Sequence, residues 1–388
     1  MSGREAVIIG VAEAPLEEGK IPGGATPLQV QARVAKAALN DAGLTFGDVD
    51  GLLTTGMWGI PGPGQLPTVT LGEYLGIRPR FVDGTNIGGS SFEAHVAHAA
   101  LAIEHGYCDV ALITYGSTQR SDRSRTLAGR APVLTMQFEA PWGLLTPVGG
   151  YALAAMRHMH EYGTTSEQLA EIAVATREWA SLNPAATMRH PLTVEDVLGS
   201  PMISDPLHLL DCCLVTDGGG AVVMTTAERS RDLRKPPVFV RGFGEAHTHW
   251  TVAAMPDLTL TAAVDSGKMA MDMAGVSHED IDVVEVYDSF TITVLVTLEA
   301  LGFCERGEGG EFVSNGRTAP GGEFPLNTNG GGLSYAHPGM YGIFLIIEAV
   351  RQLRGECAER QVTDARIALV NGTGGTLSST STCVFARD

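Results

Sequence analysis

"TNIGGSS" at residues 85–91 and "TNGGGLS" at 328–334 decide how this chain folds. Each glycine turn leads into a helix-like run, "FEAHVAHAALAIEHG" (92–106) after the first and "MYGIFLIIEAVRQLRG" (340–355) after the second. A loop written twice, 243 positions apart, calls for a search for repeats around it. "AVIIGVAEA" (6–14) matches "VFVRGFGEA" (238–246), and at the same offset of 232 "DAGLTFGDVDGLL" (41–53) matches "MAGVSHEDIDVVE" (273–285). After the loops, "VALI" (110–113) faces "IALV" (367–370). Four matched blocks in one order indicate an internal duplication.

Each unit reads as alternating strands and helices. "AVIIGV" is a β-branched strand. Thr26 and Pro27 form an N-cap and first-turn pair, Leu28, Val34, Ala38, Leu39 and Ala42 recur at helical spacing, and Gly43 closes the run. "VDGLLTT" and "IDVVEVY" are strands, and "CDVALITYG" and "ARIALVNGTG" are apolar strands of the kind buried in a sheet core. The pattern is an α/β fold of layered sheets. We divide it into an N-terminal half, 1–235, with an inserted loop subdomain at about 118–205, and a C-terminal half, 236–388. The insertion holds a helical segment, "TSEQLAEIAVATREWASLN" (165–183), that starts at Thr165–Glu167.

The bulk properties exclude several classes. A formal net charge of −18 repels nucleic acid and anionic membrane, so neither is expected as a partner. No stretch approaches the ~18 apolar residues of a membrane span, and "MSGREAVIIGVAEAP" reads as a strand with charges on both sides rather than a signal peptide. The six cysteines show no C-x-x-C spacing, and we read them as reduced thiols of a cytoplasmic protein. His247 and His249 in "HTHW" lack further ligands, so no metal is expected.

Three longer blocks carry a specific resemblance. "DPLHLLDCCLVTDGGGAVV" (205–223), "EVYDSFTITVLVTLEALGFCERGEGGEFV" (285–313) and "GGLSYAHPGMYGIFLIIEAVRQLRG" (331–355) resemble the thiolase superfamily, in particular its sterol-carrier-protein thiolase branch, and the resemblance runs over nearly the whole chain. It implies a five-layer α-β-α-β-α fold built from two duplicated βαβαβαββ halves, action on coenzyme A thioesters and assembly as a dimer or tetramer. In working thiolases the first glycine loop holds a nucleophilic cysteine. That position falls within Gly88–Ser90 here, where no cysteine stands. The branch's His-Asp motif is Tyr287-Asp288, the histidine of the His-Pro-Gly loop is kept as His337, and the late acid/base cysteine falls near Asn371 in "NGTGG".

Without a thiol, acyl transfer loses its intermediate, since a hydroxyl ionises far less readily. His95 and His98, on the helix-like run after Ser90 and Ser91, read as packed or solvated rather than as basic partners. Retro-aldol cleavage of a β-hydroxyacyl-CoA needs no nucleophile. It needs a base for the hydroxyl proton, donors for the thioester oxygen and an acid for the enolate carbon. The candidates are Tyr287, His337, Tyr341 and Tyr335 as acid/base groups, and the glycine loops at Gly88, Gly89, Ser90, Gly331 and Gly374 as donors. Arg120, Arg123, Arg125 and Arg130 are candidates for coenzyme A phosphates, and Asp288 reads as a holder of loop backbone. Cysteine-less members of this branch include aldolases that shorten steroid acyl-CoA side chains, so the resemblance implies such a lyase. It also implies no covalently bound cofactor, coenzyme A only as part of the substrate, a homodimer, and a small zinc-ribbon/OB-fold partner protein. An acyltransferase, or a non-catalytic acyl-CoA-binding subunit, is the alternative.

Overall fold

The computed structural model describes residues 4–56, 66–122, 133–144 and 147–388. The first-half strands are β1 (Ala6–Glu13), β2 (Gly51–Leu53), β3 (Phe81–Asp83) and β4 (Val110–Ser117). A small ribbon, β5 (Met202–Ser204) with β6 (Leu207–His208), lies between β4 and β7, and β7 (Gly218–Thr226) returns to the main sheet. The second half contributes β8 (Val238–His247), β9 (Val283–Val286), β10 (Ile367–Gly374) and β11 (Ser379–Ala386).

The strand order shows the duplication directly. The first half runs β3-β2-β4-β7-β1, and the second runs β8-β11-β10-β9. In each half a parallel pair, β2 with β4 and β9 with β10, is followed by an antiparallel partner, β7 or β11. The second half has no named counterpart of β3. There Leu326 makes a single parallel bridge to Val284. The halves join at β1 and β8 through two residue pairs, Val7 with Phe239 and Ile8 with Val238.

The helices are α1 (Pro27–Ala42), α2 (Pro67–Leu75), α3 (Ser91–Glu104), α4 (Val133–Phe138), α5 (Val148–Tyr162), α6 (Ser166–Leu182), α7 (Val194–Gly199), α8 (Ala227–Ser230), α9 (Ala263–Ala274), α10 (Thr291–Leu301), α11 (Gly309–Phe312) and α12 (Gly342–Arg354). Helix α1 starts and ends as its sequence predicts. The Thr26 hydroxyl accepts from the Gln29 N–H, Pro27 opens the first turn, and Gly43 takes the left-handed conformation at φ 81°. The insertion's long helix, α6, is likewise capped by Thr165.

Packing sets the layers. α1 covers β1, β7 and β4 on one outside face, and α9, backed by α10, covers β8 and β11 on the other. α3 and α12 touch each other and strands of both halves, so they form the middle layer. The result is α-β-α-β-α, the layering the resemblance implies. A middle-layer helix is covered by sheets on both sides, and most residues of α3 and α12 are buried, Glu93, His95 and Glu348 included, while Leu101 near the end of α3 reaches solvent. Among the described residues no helix is long and apolar enough to cross a membrane.

Candidate active site

Strand β9 ends at Val286, and the next residue leaves the sheet at the carboxyl end of a parallel strand, where α/β folds place their ligands. That residue is Tyr287. Its N–H donates to the Asn371 carbonyl of β10 (3.0 Å), which fixes where the side chain departs. Its ring stands edge-on to the His337 and Tyr341 rings. Its hydroxyl lies 2.9 Å from His337 Nε2 and accepts the Tyr341 N–H at 3.1 Å.

The pair is closed in. Tyr287 is 4% exposed and His337 8%. Burial pushes the Tyr287 phenol well above its ordinary range and holds the His337 imidazole down at about 4. At neutral pH the hydroxyl keeps its proton and the imidazole has a free lone pair. His337 is placed by its own backbone, whose N–H donates to Thr216 Oγ1 (3.0 Å) and whose carbonyl accepts the Thr216 N–H (3.2 Å). The next residue is held from the middle layer's other side, where the Tyr115 hydroxyl donates to the Pro338 carbonyl at 2.6 Å.

The second glycine loop is tied to side chains. Asp288 accepts the N–H groups of Gly332 (2.6 Å) and Leu333 (3.1 Å). Asn329 Oδ1 accepts both the Gly331 N–H (2.8 Å) and the Tyr341 hydroxyl (2.7 Å). Gly331, at φ 59°, is required twice over: the left-handed backbone suits it, and a Cβ there would overlap Asp288 Oδ2. Burial lifts the Asp288 carboxyl to about 7 against the pull of its two backbone donors.

The first glycine loop is tied to hydroxyls and backbone. Ser91 Oγ accepts the Ile87 N–H (2.9 Å) and donates to the Gly88 carbonyl (2.6 Å). Ser90 Oγ is fully buried between Ser379 Oγ (3.0 Å) and the Ile87 carbonyl (3.3 Å). Gly88 packs directly on the backbone of Gly374, where a Cβ on Gly88 would come within 2.7 Å of the Gly374 Cα. Gly89 lies against the Tyr287 ring: a Cβ on it would overlap Cε2 and come within 2.6 Å of Cζ. The Thr373 carbonyl oxygen, 2.5 Å from the same Cβ, closes the other side, so no side chain fits at Gly89 in this arrangement.

The structure thus gathers Tyr287, His337, Tyr341, Gly88, Gly89 and Gly374 into one place. Six sequence-derived candidates stand differently. Tyr335 is buried, but it faces Glu13 and Arg351 instead of the Tyr287 hydroxyl. Gly331 gives its N–H to Asn329 and not to the cleft. Arg120 is exposed beside Gly19, and Arg123, Arg125 and Arg130 lie outside the described residues. His95 and His98 are packed as expected, on the Thr85 carbonyl and on Asp83.

Sequence reasoning missed Asn329 and Thr216, which orient the second loop and His337. It also missed Tyr151 of α5, whose hydroxyl donates to the Gly375 carbonyl (2.9 Å) and ties the insertion to the Gly374 turn. Its ring packs on Phe290, three residues after Tyr287. "TN" before each glycine run was the available signal for Asn329; nothing in the local sequence marks Tyr151. A surface cavity of about 570 Å³ is lined by Arg157, Tyr162, Arg306 and residues 255–258, and neither Tyr287 nor His337 reaches it. Among the described residues no cluster of His, Cys, Asp and Glu could hold a metal ion.

Residues 244–387 match the family described as thiolase C-terminal domain-like. The chain is 35% identical to an acetyl-CoA acetyltransferase of Methanothermobacter thermautotrophicus, over 90% of this chain and 92% of that one. It is also 35% identical to a steroid side-chain-cleaving aldolase of Thermomonospora curvata, over 90% and 91%. A 17-hydroxy-3-oxo-4-pregnene-20-carboxyl-CoA lyase of Mycobacterium tuberculosis is 32% identical over 96% and 98%. Among solved structures, an "Ltp2-ChsH2(DUF35) aldolase" superposes with a TM-score of 0.85 at 32% identity, covering 98% of this chain and 97% of that one.

Proposed function

Because this chain belongs to the thiolase superfamily, in its sterol-carrier-protein thiolase-like branch, we propose that it is a coenzyme A-dependent carbon–carbon lyase. It cleaves a β-hydroxyacyl-CoA by retro-aldol chemistry, and the acyl group is a steroid side chain. The observation that carries this reading is the Tyr287–His337 pair, packed against Gly89 in the first glycine loop, 88–90, the stretch in which the resemblance places the nucleophilic cysteine of working thiolases.

In this reading the Tyr287 oxygen takes the β-hydroxyl proton while its own proton passes to His337 Nε2. The Cα–Cβ bond breaks, a ketone or aldehyde leaves, and the bond's electrons become the enolate of the thioester. A lone tyrosine is a poor base, and burial makes Tyr287 a poorer one. A relay removes that difficulty, because no isolated phenolate has to form. The same burial that leaves His337 neutral also makes its charged form short-lived. It therefore returns the proton readily, through Tyr287, to the enolate carbon, and the shortened acyl-CoA is released. The positive end of α3 faces the first glycine turn and favours the negative thioester oxygen. Tyr341 acts in two ways: its N–H holds the Tyr287 oxygen, and its ring stacks over His337.

The relative called an acetyl-CoA acetyltransferase favours a second reading, acyl transfer. The first loop argues against it. Gly89 leaves no volume for a nucleophile beside Tyr287, and the Ser90 and Ser91 hydroxyls are both engaged with no histidine on either. For assembly, the solved aldolase pairs Ltp2 with a DUF35 protein. We read this chain as a self-paired dimer that works with a partner of that kind, with coenzyme A as part of the substrate.

The test is product analysis with a steroid β-hydroxyacyl-CoA, with and without a DUF35-type partner. The expected products are a ketone or aldehyde and a shortened acyl-CoA. A covalent acyl adduct on Ser90 or Ser91, seen by intact mass, overturns the reading.

A further inference from the structure

Helix α3 carries a carboxyl that the chemistry above leaves unused. Glu93 is fully buried, and neither carboxyl oxygen has a hydrogen-bond donor. Two glycines make its space. A Cβ on Gly342, the first residue of α12, would lie 2.6 Å from Oε2 and 2.7 Å from Oε1, and a Cβ on Gly372 of β10 would come within 2.6 Å of Cδ. The same hypothetical Cβ on Gly342 would also overlap the Gly89 carbonyl oxygen, so that oxygen shares the pocket with the carboxyl. An unpaired carboxylate is very costly in such a site, whereas a protonated carboxyl needs only one acceptor.

We propose that Glu93 is a positioning residue for the cleavage reaction: its carboxyl stays protonated, donates to the Gly89 carbonyl, and so fixes the first glycine turn against both the Tyr287 ring and the start of α12. The proposal rests on the role given to Tyr287 above. Three neighbours are locked by one hydrogen bond. Gly89 is pressed on the Tyr287 ring, and Gly342 follows Tyr341, whose N–H holds the Tyr287 hydroxyl.

The geometry has a pH consequence. Burial raises the Glu93 carboxyl to about 8. Among the described residues the titratable group facing it is the Cys383 thiol of β11, which donates to the Glu93 carbonyl and is itself pushed far up by burial and then by Glu93. No cation from α3, α12, β10 or β11 opposes the shift. Below pH about 8 the lock is made. Above it an unpaired charge replaces the donor and the turn lets go.

The experiment compares wild type, Glu93→Gln and Glu93→Met by turnover across neutral and alkaline pH. Glutamine keeps a donor and cannot ionise. It is expected to stay within about threefold of wild type at neutral pH and to lose the alkaline limb near pH 8. Methionine fills the space without a donor and is expected to lower kcat roughly tenfold with KM little changed, a fraction of what a direct oxyanion donor is worth. Infrared spectra read the proton without turnover: wild type shows a protonated-carboxyl band that titrates near pH 8 and is missing in Glu93→Gln. No such band, or an alkaline limb identical in wild type and Glu93→Gln, overturns the proposal. If both variants match wild type while Tyr287→Phe is dead, Glu93 falls and the cleavage mechanism stands.

Discussion

The two glycine loops descend from one sequence and have diverged in what holds them. The first, at Gly88–Ser90, is fastened by uncharged groups: Ser91, Ser379, backbone carbonyls and the flat face of Tyr287. The second, at Gly331–Tyr335, is fastened by Asp288 and Asn329 and delivers His337. The first loop supplies shape and a helix end, and the second supplies proton chemistry. A loop without a nucleophile suffices when the other copy carries groups able to move a proton.

Tyr287→Phe breaks that division most severely. It removes the oxygen that joins His337 to the Tyr341 N–H and is expected to lower kcat/KM at least ~100-fold. It also leaves His337 Nε2 and the Tyr341 N–H unpaired, at a stability cost of about 1–3 kcal/mol, so circular dichroism should show a folded protein with a lowered Tm. Gly89→Cys forces the first loop back toward a thiol. The new side chain meets the Tyr287 ring, and overpacking costs about 1–3 kcal/mol. Cleavage should fall at least tenfold with a lowered Tm, and adding Tyr287→Ala should lose less stability than the two single changes summed, without recovering cleavage. A Gly89→Cys protein with wild-type Tm and cleavage would show that the loops are not interlocked.

Asp288→Ala tests the second loop's anchor. Two backbone N–H groups lose their acceptor, for about 1–3 kcal/mol of stability and a roughly tenfold loss of kcat as His337 loosens. The His337 imidazole sharpens the comparison by pH. Its pKa falls from an ordinary 6.5 to about 4 on folding, so the folded state binds fewer protons between those values. Its stabilising share is complete above pH 6.5 and is lost as the pH falls toward 4. The acid limb of kcat/KM assigned to it should therefore lie near 4, and a limb at 6.5 would mean an exposed, ordinary imidazole. Ser90→Ala carries the smallest expected effect, within about threefold in kcat, because its hydroxyl is engaged in holding the turn.

The duplication was legible because strands keep their apolar pattern when function changes. The offset that pairs residues 6–14 with 238–246 in the sequence pairs β1 with β8 in the strand order. Caps were legible because they are local: Thr26 and Gly43 act within a few residues of themselves. The site was legible only in part. Tyr287 and His337 lie 50 positions apart and meet, as the resemblance led us to look for. Tyr335, two residues from His337, turns the other way, because residues 331–335 form a wide five-residue turn that aims its ring at Glu13 and Arg351. Glu93 carries no local signal, since a glutamate on a helix ordinarily marks a wet face. On a helix sandwiched between two sheets it is buried instead, and that is a property of layering, which no window of sequence contains.

The contact between Gly89 and the Tyr287 ring also makes the two positions mutually exclusive in what they can carry. A thiol cannot enter the loop before the aromatic ring has left, and once the ring leaves, the proton route goes with it. The Thr373 carbonyl oxygen closes the same space from the β10 side, within 2.5 Å of a Cβ on Gly89. A laboratory attempt to place a thiol there must change Gly89 and Tyr287 in one move and shift the β10 backbone as well.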